Sequence, residues 1–586
     1  MKQRTTVGAF ISIMLLSVSL VAAYELSKSG KIVLLAEQHW ETYGVGGTCI
    51  SGSHNLFVAD VDGDGVMEVI TGGFMYWVVN GSRTSAEAPL KIWSWDGQNI
   101  MLKEDRKWPG GIRCIYVVDA DGDGVNDVFT GGTVINETGS YSSLRFWHWG
   151  DEELSLKAVY EGVSVSSIFV SDLDNDGKPE IVTVGSLSGD SQYTSQLCLW
   201  HLEQDSLVLK KQVKLANVNR AVSVYAYDLN DDGTVEIITA GYAGKLENSR
   251  GQLCVWHWNG EELTLKADRE WQLVEGGYAL NIAGGVQGNT MVNNVKVGDV
   301  DGDGAPEIIT GGFTYDGKNV NAQLRVWNWD GESLRLEASE EWASDYLNEV
   351  KCISLNDVDG DSRVDIVTSG MGAAYGSFAD PESTPSHAQL RVWCWDGKTL
   401  ALKYSQDWTI GDGVCAWNIA TGDLNKDGVI DIVTVGCMSI GTLCDPDMRI
   451  WSIVTPSPIG LIIATVISII VTVLVVTYIL AKKIPKNTPA VNQQGYERIQ
   501  IIAHEATRLL VKSPFHAAFQ ENMQQRDSQA LPKKAWVSPE LKGLLSKRLR
   551  LMEPRKLNPP QRGEIICKNP SFSVSKHSKV CFCRFF

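Results

Sequence analysis

The chain has 586 residues, of which 44% are hydrophobic, and its 52 Lys/Arg and 70 Asp/Glu give a formal net charge of −18. The charge is divided unequally, because residues 482–586 carry 20 basic and 7 acidic residues while the preceding part is strongly acidic. An acidic chain of this kind excludes nucleic acid as an expected partner and favours the binding of cations.

The first 23 residues have the pattern of a secretory signal peptide. Lys2 and Arg4 precede an apolar stretch over residues 7–21, and Val21-Ala22-Ala23 offers small residues at a cleavage site. The alternative is an uncleaved anchor helix. The apolar stretch is short for a membrane span and the chain turns polar from Tyr24 onward, so we expect a signal peptide over residues 1–23.

A second apolar segment, residues 459–481, has no charged residue and is followed by Lys482 and Lys483. At 1.5 Å per residue a helix of this length crosses a hydrocarbon core of roughly 30 Å. The segment predicts a transmembrane helix with its C-terminal side in the cytoplasm. Residues 24–455 would then lie outside the cell or in a secretory lumen. The basic tail, residues 482–586, is predicted to be largely disordered, with a membrane-surface helix over 539–552 as the alternative.

Between the two apolar segments a nine-residue acidic motif recurs seven times at intervals of 53 to 71 residues. The motifs begin at Asp60, Asp119, Asp172, Asp228, Asp299, Asp357 and Asp423. A strand pattern precedes each motif, and three more follow it, with Asp-Gly or Asn-Gly turns in several repeats. A period near 60 with β patterning predicts an all-β fold, a seven-bladed β-propeller over residues 24–455, in addition to the one transmembrane helix.

The seventh repeat lacks a fourth strand before the membrane segment. Residues 31–40 match the fourth-strand pattern of residues 334–342 and 400–408. We therefore expect the N-terminal strand to complete the last blade and to close the ring, which would leave no open sheet edge.

Pairs of tryptophans recur at one position of the third strand, in five of the seven repeats. They could form a sugar-stacking platform, but repetition at one position favours packing between neighbouring sheets. The pairs are Trp93/Trp95, Trp147/Trp149, Trp256/Trp258, Trp327/Trp329 and Trp393/Trp395. His148, His201 and His257 also occupy matching positions, which are too far apart in neighbouring blades for the three to share one metal ion.

Nine cysteines precede the second apolar segment, and an odd number leaves at least one without a partner in the same chain. Cys437 and Cys444 are close enough in sequence to form a disulfide across one loop. Cys114 and Cys352 lie in apolar strands, where buried free thiols are expected. The absence of a CxxC pair gives no support for zinc.

In each acidic motif, oxygen-bearing side chains stand at positions 1, 3, 5 and 9, and glycine stands at position 6 in six of the seven motifs. Alternating carboxylates can converge on one point, and a glycine with positive φ lets the backbone turn around it. Five motifs have four carboxylates at these positions, whereas Asn230 and Asn425 replace one each in the fourth and seventh. The motif predicts up to seven Ca²⁺ sites, and a flexible all-protein oxygen cage disfavours Mg²⁺. We expect the sixth site to be the weakest, because Ser362 replaces glycine.

The predicted metal ligands are the following 28 residues: Asp60, Asp62, Asp64, Glu68, Asp119, Asp121, Asp123, Asp127, Asp172, Asp174, Asp176, Glu180, Asp228, Asn230, Asp232, Glu236, Asp299, Asp301, Asp303, Glu307, Asp357, Asp359, Asp361, Asp365, Asp423, Asn425, Asp427 and Asp431.

At these motifs the chain resembles the FG-GAP repeat family, also described as VCBS-like repeats, which includes the propeller of integrin α subunits. The resemblance covers about residues 31–453. It implies Ca²⁺ in the loop between the first two strands of each blade, and binding functions in other loops. The sequence differs from integrins in that no leg domains are evident before the apolar segment, so integrin-like heterodimer signalling is not expected.

The sequence therefore predicts a single-pass cell-surface Ca²⁺-binding propeller that acts as a receptor, adhesion or protein-interaction module and not as an enzyme. The alternatives are a carbohydrate-active propeller enzyme, such as a polysaccharide lyase, and a structural membrane scaffold. A short connection, residues 452–458, would turn the Ca²⁺ loops toward the membrane. A protein or glycan ligand would then bind the membrane-distal face, which we expect to be built by loops at 74–90, 271–294 and 371–389.

Overall fold

The computed structural model describes residues 30–40, 48–79, 82–136, 139–186, 194–215, 220–245, 248–274, 279–280, 286–287, 289–344, 347–373, 386–411, 413–440 and 443–455. These residues form strands and contain no α-helix, which confirms the predicted all-β class. Among them no helix is long and apolar enough to cross a membrane. The predicted signal peptide, membrane span and basic tail lie outside the described residues.

The strands follow one another along the chain with these bounds: β1 Lys31–His39, β2 Thr48–Ala59, β3 Glu68–Val79, β4 Ser82–Trp95, β5 Ile100–Val118, β6 Asp127–Asn136, β7 Gly139–Gly150, β8 Glu153–Glu161, β9 Ser167–Ser171, β10 Glu180–Ser186, β11 Ser195–Glu203, β12 Ser206–Lys214, β13 Arg220–Tyr227, β14 Glu236–Ala243, β15 Arg250–Trp258, β16 Leu263–Trp271, β17 Ala279–Leu280, β18 Val286–Gln287, β19 Thr290–Gly298, β20 Glu307–Tyr315, β21 Val320–Trp329, β22 Leu334–Trp342, β23 Leu347–Asn356, β24 Asp365–Ala373, β25 His387–Trp395, β26 Leu400–Trp408, β27 Gly413–Gly422, β28 Asp431–Ile440 and β29 Leu443–Val454.

The same antiparallel order recurs along the chain. In β13–β16, for example, each strand pairs with the next, and the acidic motif connects the first strand to the second. The 19-residue strand β5 serves two such ladders, since its first part pairs with β4 and its last part with β6. Single parallel pairings, Ile50 with Cys444 and Val320 with Leu347, join neighbouring ladders, and the connected sheets contain up to 11 strands.

The first strand of the described chain pairs with the last. β1 runs antiparallel to β29, from Lys31 opposite Val454 to His39 opposite Asp447. This pairing confirms the prediction that residues 31–40 supply the fourth strand of the seventh repeat.

One buried hydrogen bond is present in all seven repeats. A tryptophan indole Nε1 on the third strand donates to a threonine Oγ1 on the second strand, at 2.9 to 3.3 Å. The pairs are Trp93–Thr71, Trp147–Thr130, Trp200–Thr183, Trp256–Thr239, Trp327–Thr310, Trp393–Thr368 and Trp451–Thr434. Because a buried indole N–H needs an acceptor, this bond fixes where the large ring lies.

The tryptophans fill the space between consecutive repeats, as predicted. Trp327 and Trp329 of the fifth repeat pack in one cluster with Ile238 and Leu253 of the fourth. The end of a fourth strand also places a ring against the next repeat, since the Trp271 and Trp327 ring centroids lie 4.9 Å apart. Equivalent contacts are Trp108–Trp147, Tyr160–Trp200, Trp342–Trp393 and Trp408–Trp451.

The first and last repeats are also in contact. Trp40, just after β1, lies 5.1 Å from Trp93 of the first repeat between ring centroids. Val69 and Trp93 share a hydrophobic cluster with Val433 and Ile450 of the seventh repeat. The packing used between consecutive repeats therefore also joins the two ends of the repeat array.

Two further predictions can be compared with the structure. Residues 74–90 were expected to form a variable loop, which is wrong, because β3 continues to Val79 and β4 starts at Ser82. The run from Phe74 to Val79 is rich in aromatic and β-branched residues, which favour strands.

Cys114 and Cys352 are buried free thiols, as predicted. The side chain of Cys444 lies outside the described part, so its proposed bond to Cys437 remains a prediction.

We expect Thr310→Val to destabilise the chain by about 1–3 kcal/mol, because it leaves the buried Trp327 indole N–H without its acceptor. Thr310→Ser, which keeps the hydroxyl group, is the matched control and should cost less. Chemical denaturation of the full chain, followed by tryptophan fluorescence, measures both. Unfolding of Thr310→Val at the same denaturant concentration as the unaltered chain would contradict this role of the hydrogen bond.

Candidate metal centres

The structure brings the residues of each acidic motif together in a tight loop between the first and second strands of its repeat. Positions 4 and 6 of every loop have positive φ, between 55 and 93°. Glycine holds most of these positions, but Asn175, Asp231 and Lys426 adopt the same conformation at position 4. At position 6 of the sixth loop, Ser362 has φ 67° and preserves the turn. The absence of glycine there therefore does not change the course of the loop.

The aspartate at position 1 organises the loop from within. In all seven loops one of its carboxylate oxygens accepts the backbone N–H of position 6, at 2.7 to 3.0 Å. The carboxylate at position 5 accepts the N–H of position 7 in the same way, as Asp303 does from Ala305 at 2.8 Å. In six of the loops the other oxygen of position 1 also accepts a backbone N–H, as Asp299 Oδ1 does from Gly302 at 2.7 Å, so these bonds hold the carboxylates in place.

The carboxylate at position 9 begins the second strand and is buried in every loop. In the first six loops one oxygen accepts the backbone N–H of position 2, for example Glu307 Oε2 from Val300 at 3.1 Å. Asp431 occupies this position in the seventh loop, where its carboxylate likewise has a hydrogen bond with the backbone of Leu424 at position 2. Asp60 Oδ1, at position 1 of the first loop, and Asp359 Oδ1, at position 3 of the sixth, are buried without a hydrogen-bond donor.

Burial makes these carboxylic acids weaker than usual, because it raises their pKa. It raises the pKa of Glu307 to about 7, and Asp301, Asp303 and Asp299 add to the effect because like charges disfavour ionisation. Burial likewise raises the pKa of Glu180 to about 7 and that of Asp127 to about 6. Each loop thus concentrates carboxylates whose ionised forms repel one another.

Within several loops the carboxylate oxygens lie within 4.8 Å of one another and could hold one metal ion. Four of these groups are Asp60/Asp62/Glu68, Asp119/Asp121/Asp127, Asp172/Asp174/Glu180 and Asp299/Asp301/Asp303, and their donors are all oxygen, the type that Ca²⁺ prefers. Together with the buried oxygens that have no donor, this donor set fits a hard divalent cation. A further group, Asp121/Asp123/His148, adds an imidazole nitrogen in the second loop. In the fourth and seventh loops an amide stands at position 3, and Asn230 Nδ2 donates to Asp232 Oδ2 at 3.0 Å.

Sequence reasoning missed the side chains that approach these loops from other strands. His148 Nδ1 lies 2.8 Å from Asp127 Oδ1, and His201 Nε2 lies 3.1 Å from Glu180 Oε1. His148 and His201 each approach the loop of their own repeat, and the expectation that the three histidines do not share a metal remains a prediction. A signal was present in the sequence, because His148, His201 and His257 each follow position 9 of their loop by 21 residues. Lys103 and Lys403 also enter two of the loops.

Without metal, the stability of the chain should fall as the pH rises from about 4.5 to 7. Unfolding returns the Glu307 pKa from about 7 to its ordinary value near 4.5, so the folded state binds more protons across this range. The contribution of Glu307 is fully present below pH 4.5 and is lost as the pH rises through 7, a change of about 3 kcal/mol.

Thermal unfolding of the metal-stripped chain at a series of pH values measures this dependence. Glu307→Gln, which cannot ionise, should flatten the decline, whereas Glu332→Gln in an exposed turn should not. A stability that rises between pH 5 and 7 would contradict the burial of these carboxylates.

Comparison with known proteins places one part of the chain in a described repeat type. Residues 172–239 match the FG-GAP-like repeat. The matched segment contains the third acidic loop, which begins at Asp172, and the fourth, which begins at Asp228. No curated protein shows significant similarity to the chain. The resemblance inferred from the acidic motifs is thus confirmed for this segment, and the chain contains an FG-GAP-like repeat.

Proposed function

We propose that this chain is a membrane-anchored extracellular protein whose seven repeats form a closed, calcium-stabilised β-propeller that serves as a receptor, adhesion or interaction module. The observation that carries the proposal is the equivalence of the seven loops. All have the same turn and the same bonds at positions 1 and 6, and all have a buried carboxylate at position 9. Repetition of one charged geometry indicates one recurring ligand.

Contacts between equivalent residues support a ring. On the first strands of the first five repeats, the residue three positions before the acidic loop contacts its counterpart in the next repeat. Phe57 lies 5.3 Å from Tyr116, Tyr116 lies 5.3 Å from Phe169, and Phe169 lies 4.4 Å from Tyr225, between ring centroids. Lys296 continues the series, with its Nζ 5.5 Å from the Tyr225 ring. First strands that present the same position to one another in succession surround a common axis, as propeller strands do.

The contact of Trp40 with Trp93 supports closure of that ring. It repeats, between the last and first repeats, the contact seen between consecutive repeats. The fourth strand that makes it, β1, comes from the opposite end of the chain. Closure by strands from both termini would protect the sheet edges from association with other chains.

Calcium would be held by the side chains at positions 1, 3, 5 and 9 of the loops that bind it. When bound, it would supply positive charge among carboxylates that repel one another. Its role is structural in this proposal, because position 9 belongs to the second strand and position 1 follows the first. A ligand shared by both would hold the two strands together.

Anchoring and orientation rest on the sequence. Residues 459–481 are long and apolar enough for a membrane helix, and β29 ends at Val454, only a few residues earlier. The third strand of each repeat runs toward the side of the acidic loops, so this side would face the membrane. The opposite side, with connections that differ in length between repeats, would bind a protein or glycan ligand.

Added calcium should raise the melting temperature of the full chain, and chelation should lower it. Binding at 100 times the dissociation constant stabilises the folded state by about 2.7 kcal/mol for each site.

Asp301→Asn in the fifth loop should lower the number of bound ions by one. Asp330→Asn, in an exposed turn of the same repeat, is the matched control. Plasma mass spectrometry measures the number of bound ions in each variant. A melting curve that does not change with calcium would refute the structural role of the ion.

Bulky additions should show which side binds a ligand. Gly288 and Ser383 lie outside the described residues and, from their places in the sequence, are expected on the distal side. A glycosylation site introduced at either residue should block binding to an array of glycans and surface-protein ectodomains. The same addition at Lys178, in the third acidic loop, should leave binding intact. Unchanged melting temperatures would show that each variant is folded. Loss of binding in the Lys178 variant alone would reverse the proposed orientation.

A further inference from the structure

We propose that Lys103 and Lys403 occupy the cation position of the first and sixth acidic loops, so that these loops are held by an ammonium group of the chain and not by calcium. The inference rests on the proposed calcium function of the remaining loops. It assigns the seven equivalent motifs to two classes, which differ in the source of the positive charge.

The sixth loop shows the arrangement most fully. Lys403 Nζ lies 2.5 Å from Asp359 Oδ2, 2.9 Å from Asp361 Oδ2 and 2.9 Å from Asp365 Oδ1. These residues are positions 3, 5 and 9, which are three of the four predicted metal ligands. The hydroxyl of Tyr404 donates to Asp359 Oδ2 at 3.0 Å. The side chains of Asp359 and Asp365 are only 4% and 0% exposed, so two of the three carboxylates around the ammonium group are buried, while that of Asp361 is 46% exposed.

The first loop repeats the arrangement with a different lysine. Lys103 Nζ contacts Asp62 Oδ2 at position 3 and lies 2.9 Å from Glu68 Oε1 at position 9. The carboxylate of Asp64, at position 5, is 4.0 Å away. Two loops that are far apart in sequence thus hold a lysine amine among the same three ligand positions.

A bulge in the fourth strand directs these lysines into the loops. In β5, Leu102 and Glu104 pair with adjacent residues of β4, which leaves Lys103 outside the ladder. In β26, Leu402 and Tyr404 likewise pair with adjacent residues of β25, which leaves Lys403 outside the ladder. A bulged residue points away from the regular alternation of the strand. All seven fourth strands have this bulge, at Leu35, Lys103, Lys157, Lys210, Lys266, Glu337 and Lys403.

The third strand determines whether a bulged lysine can enter. In the second and third loops, His148 and His201 approach the oxygen of position 9 that the lysines contact elsewhere. Lys210, at the bulge of the third repeat, turns outward and lies 2.5 Å from Glu203. In the first and sixth repeats the residue equivalent to the histidine is the smaller Ser94 or Cys394, so no imidazole competes with the amine.

The remaining loops have no such cation in the structure. Within the described residues, no lysine, arginine or histidine forms an ion pair with the carboxylates of the fourth, fifth or seventh loop. The fifth repeat has Glu337 at its bulge and the seventh has Leu35. A tethered amine has a high effective concentration at its site, and calcium would have to displace it while tolerating its charge nearby. Calcium should therefore select the loops without a lysine.

Metal counting on the full chain and on Lys403→Met tests the inference. After equilibration with about 1 mM calcium, the unaltered chain should bind no more than five ions. Lys403→Met, which keeps a long apolar side chain, should bind one more, as should Lys103→Met. Lys210→Met changes the same bulge position in a loop that its lysine does not enter, so it should leave the number unchanged.

A second measurement does not depend on the folding of the methionine variants. Asp359→Asn should leave the number of ions in the otherwise unaltered chain unchanged, whereas Asp301→Asn should remove one. Seven ions bound to the unaltered chain, or no gain in either lysine variant, would overturn the inference and leave the calcium proposal standing. The absence of calcium from the unaltered chain and from all variants would overturn both.

Discussion

The fold depends on a cluster of like charges that the backbone itself enforces. Two residues with positive φ in each acidic loop turn the chain back on itself, and the bonds from positions 1 and 5 to backbone N–H groups orient the carboxylates. Position 9 adds a carboxylate that is buried at the start of the second strand. Repulsion among these groups opposes the turn that their backbone bonds favour. Positive charge among its oxygens would therefore stabilise the loop in its ionised form.

The loop is connected to the hydrophobic packing by a fixed spacing. In every repeat the threonine that accepts the tryptophan indole N–H lies three residues after the carboxylate of position 9, as Thr310 follows Glu307. The second strand thus links the charged loop at its start to the large ring that separates neighbouring repeats. A change in the loop that shifts this strand would also shift the ring. This spacing explains how an exposed loop can influence the packing between repeats.

Much of this arrangement could be predicted from the sequence because it repeats. The acidic motif, the tryptophans and the fourth-strand pattern of residues 31–40 each recur, and recurrence distinguishes a structural rule from chance. The pairing of β1 with β29 was predictable for this reason. The expected weakness of the sixth loop had a different basis, the replacement of glycine by Ser362, and it remains a prediction. Ser362 adopts the glycine-like conformation, and the amine of Lys403 lies among the carboxylates of this loop.

The lysines were not predictable from the motif, because they lie on another strand. Lys103 follows Glu68 by 35 residues and Lys403 follows Asp365 by 38, so the spacing is not constant. Their approach depends on the bulge, which only the pairing register reveals. The long β3–β4 ladder was missed for a related reason. Residues 74–90 contain several polar residues typical of loops, but the pairing of Met75 with Glu87 and of Trp77 with Ser85 continues the ladder.

The seventh repeat shows how charge and ring closure are related. Its loop ends at the buried Asp431, and its bulge position holds the uncharged Leu35. Three residues after Asp431, Thr434 binds Trp451 on β29, the strand that pairs with β1. The repeat assembled from both ends of the chain is thus one whose loop receives no cationic side chain from the described residues. Under the proposed function, its cohesion would depend on a cation from solution, whereas the lysine-filled loops of the first and sixth repeats would stabilise the repeats on either side of it.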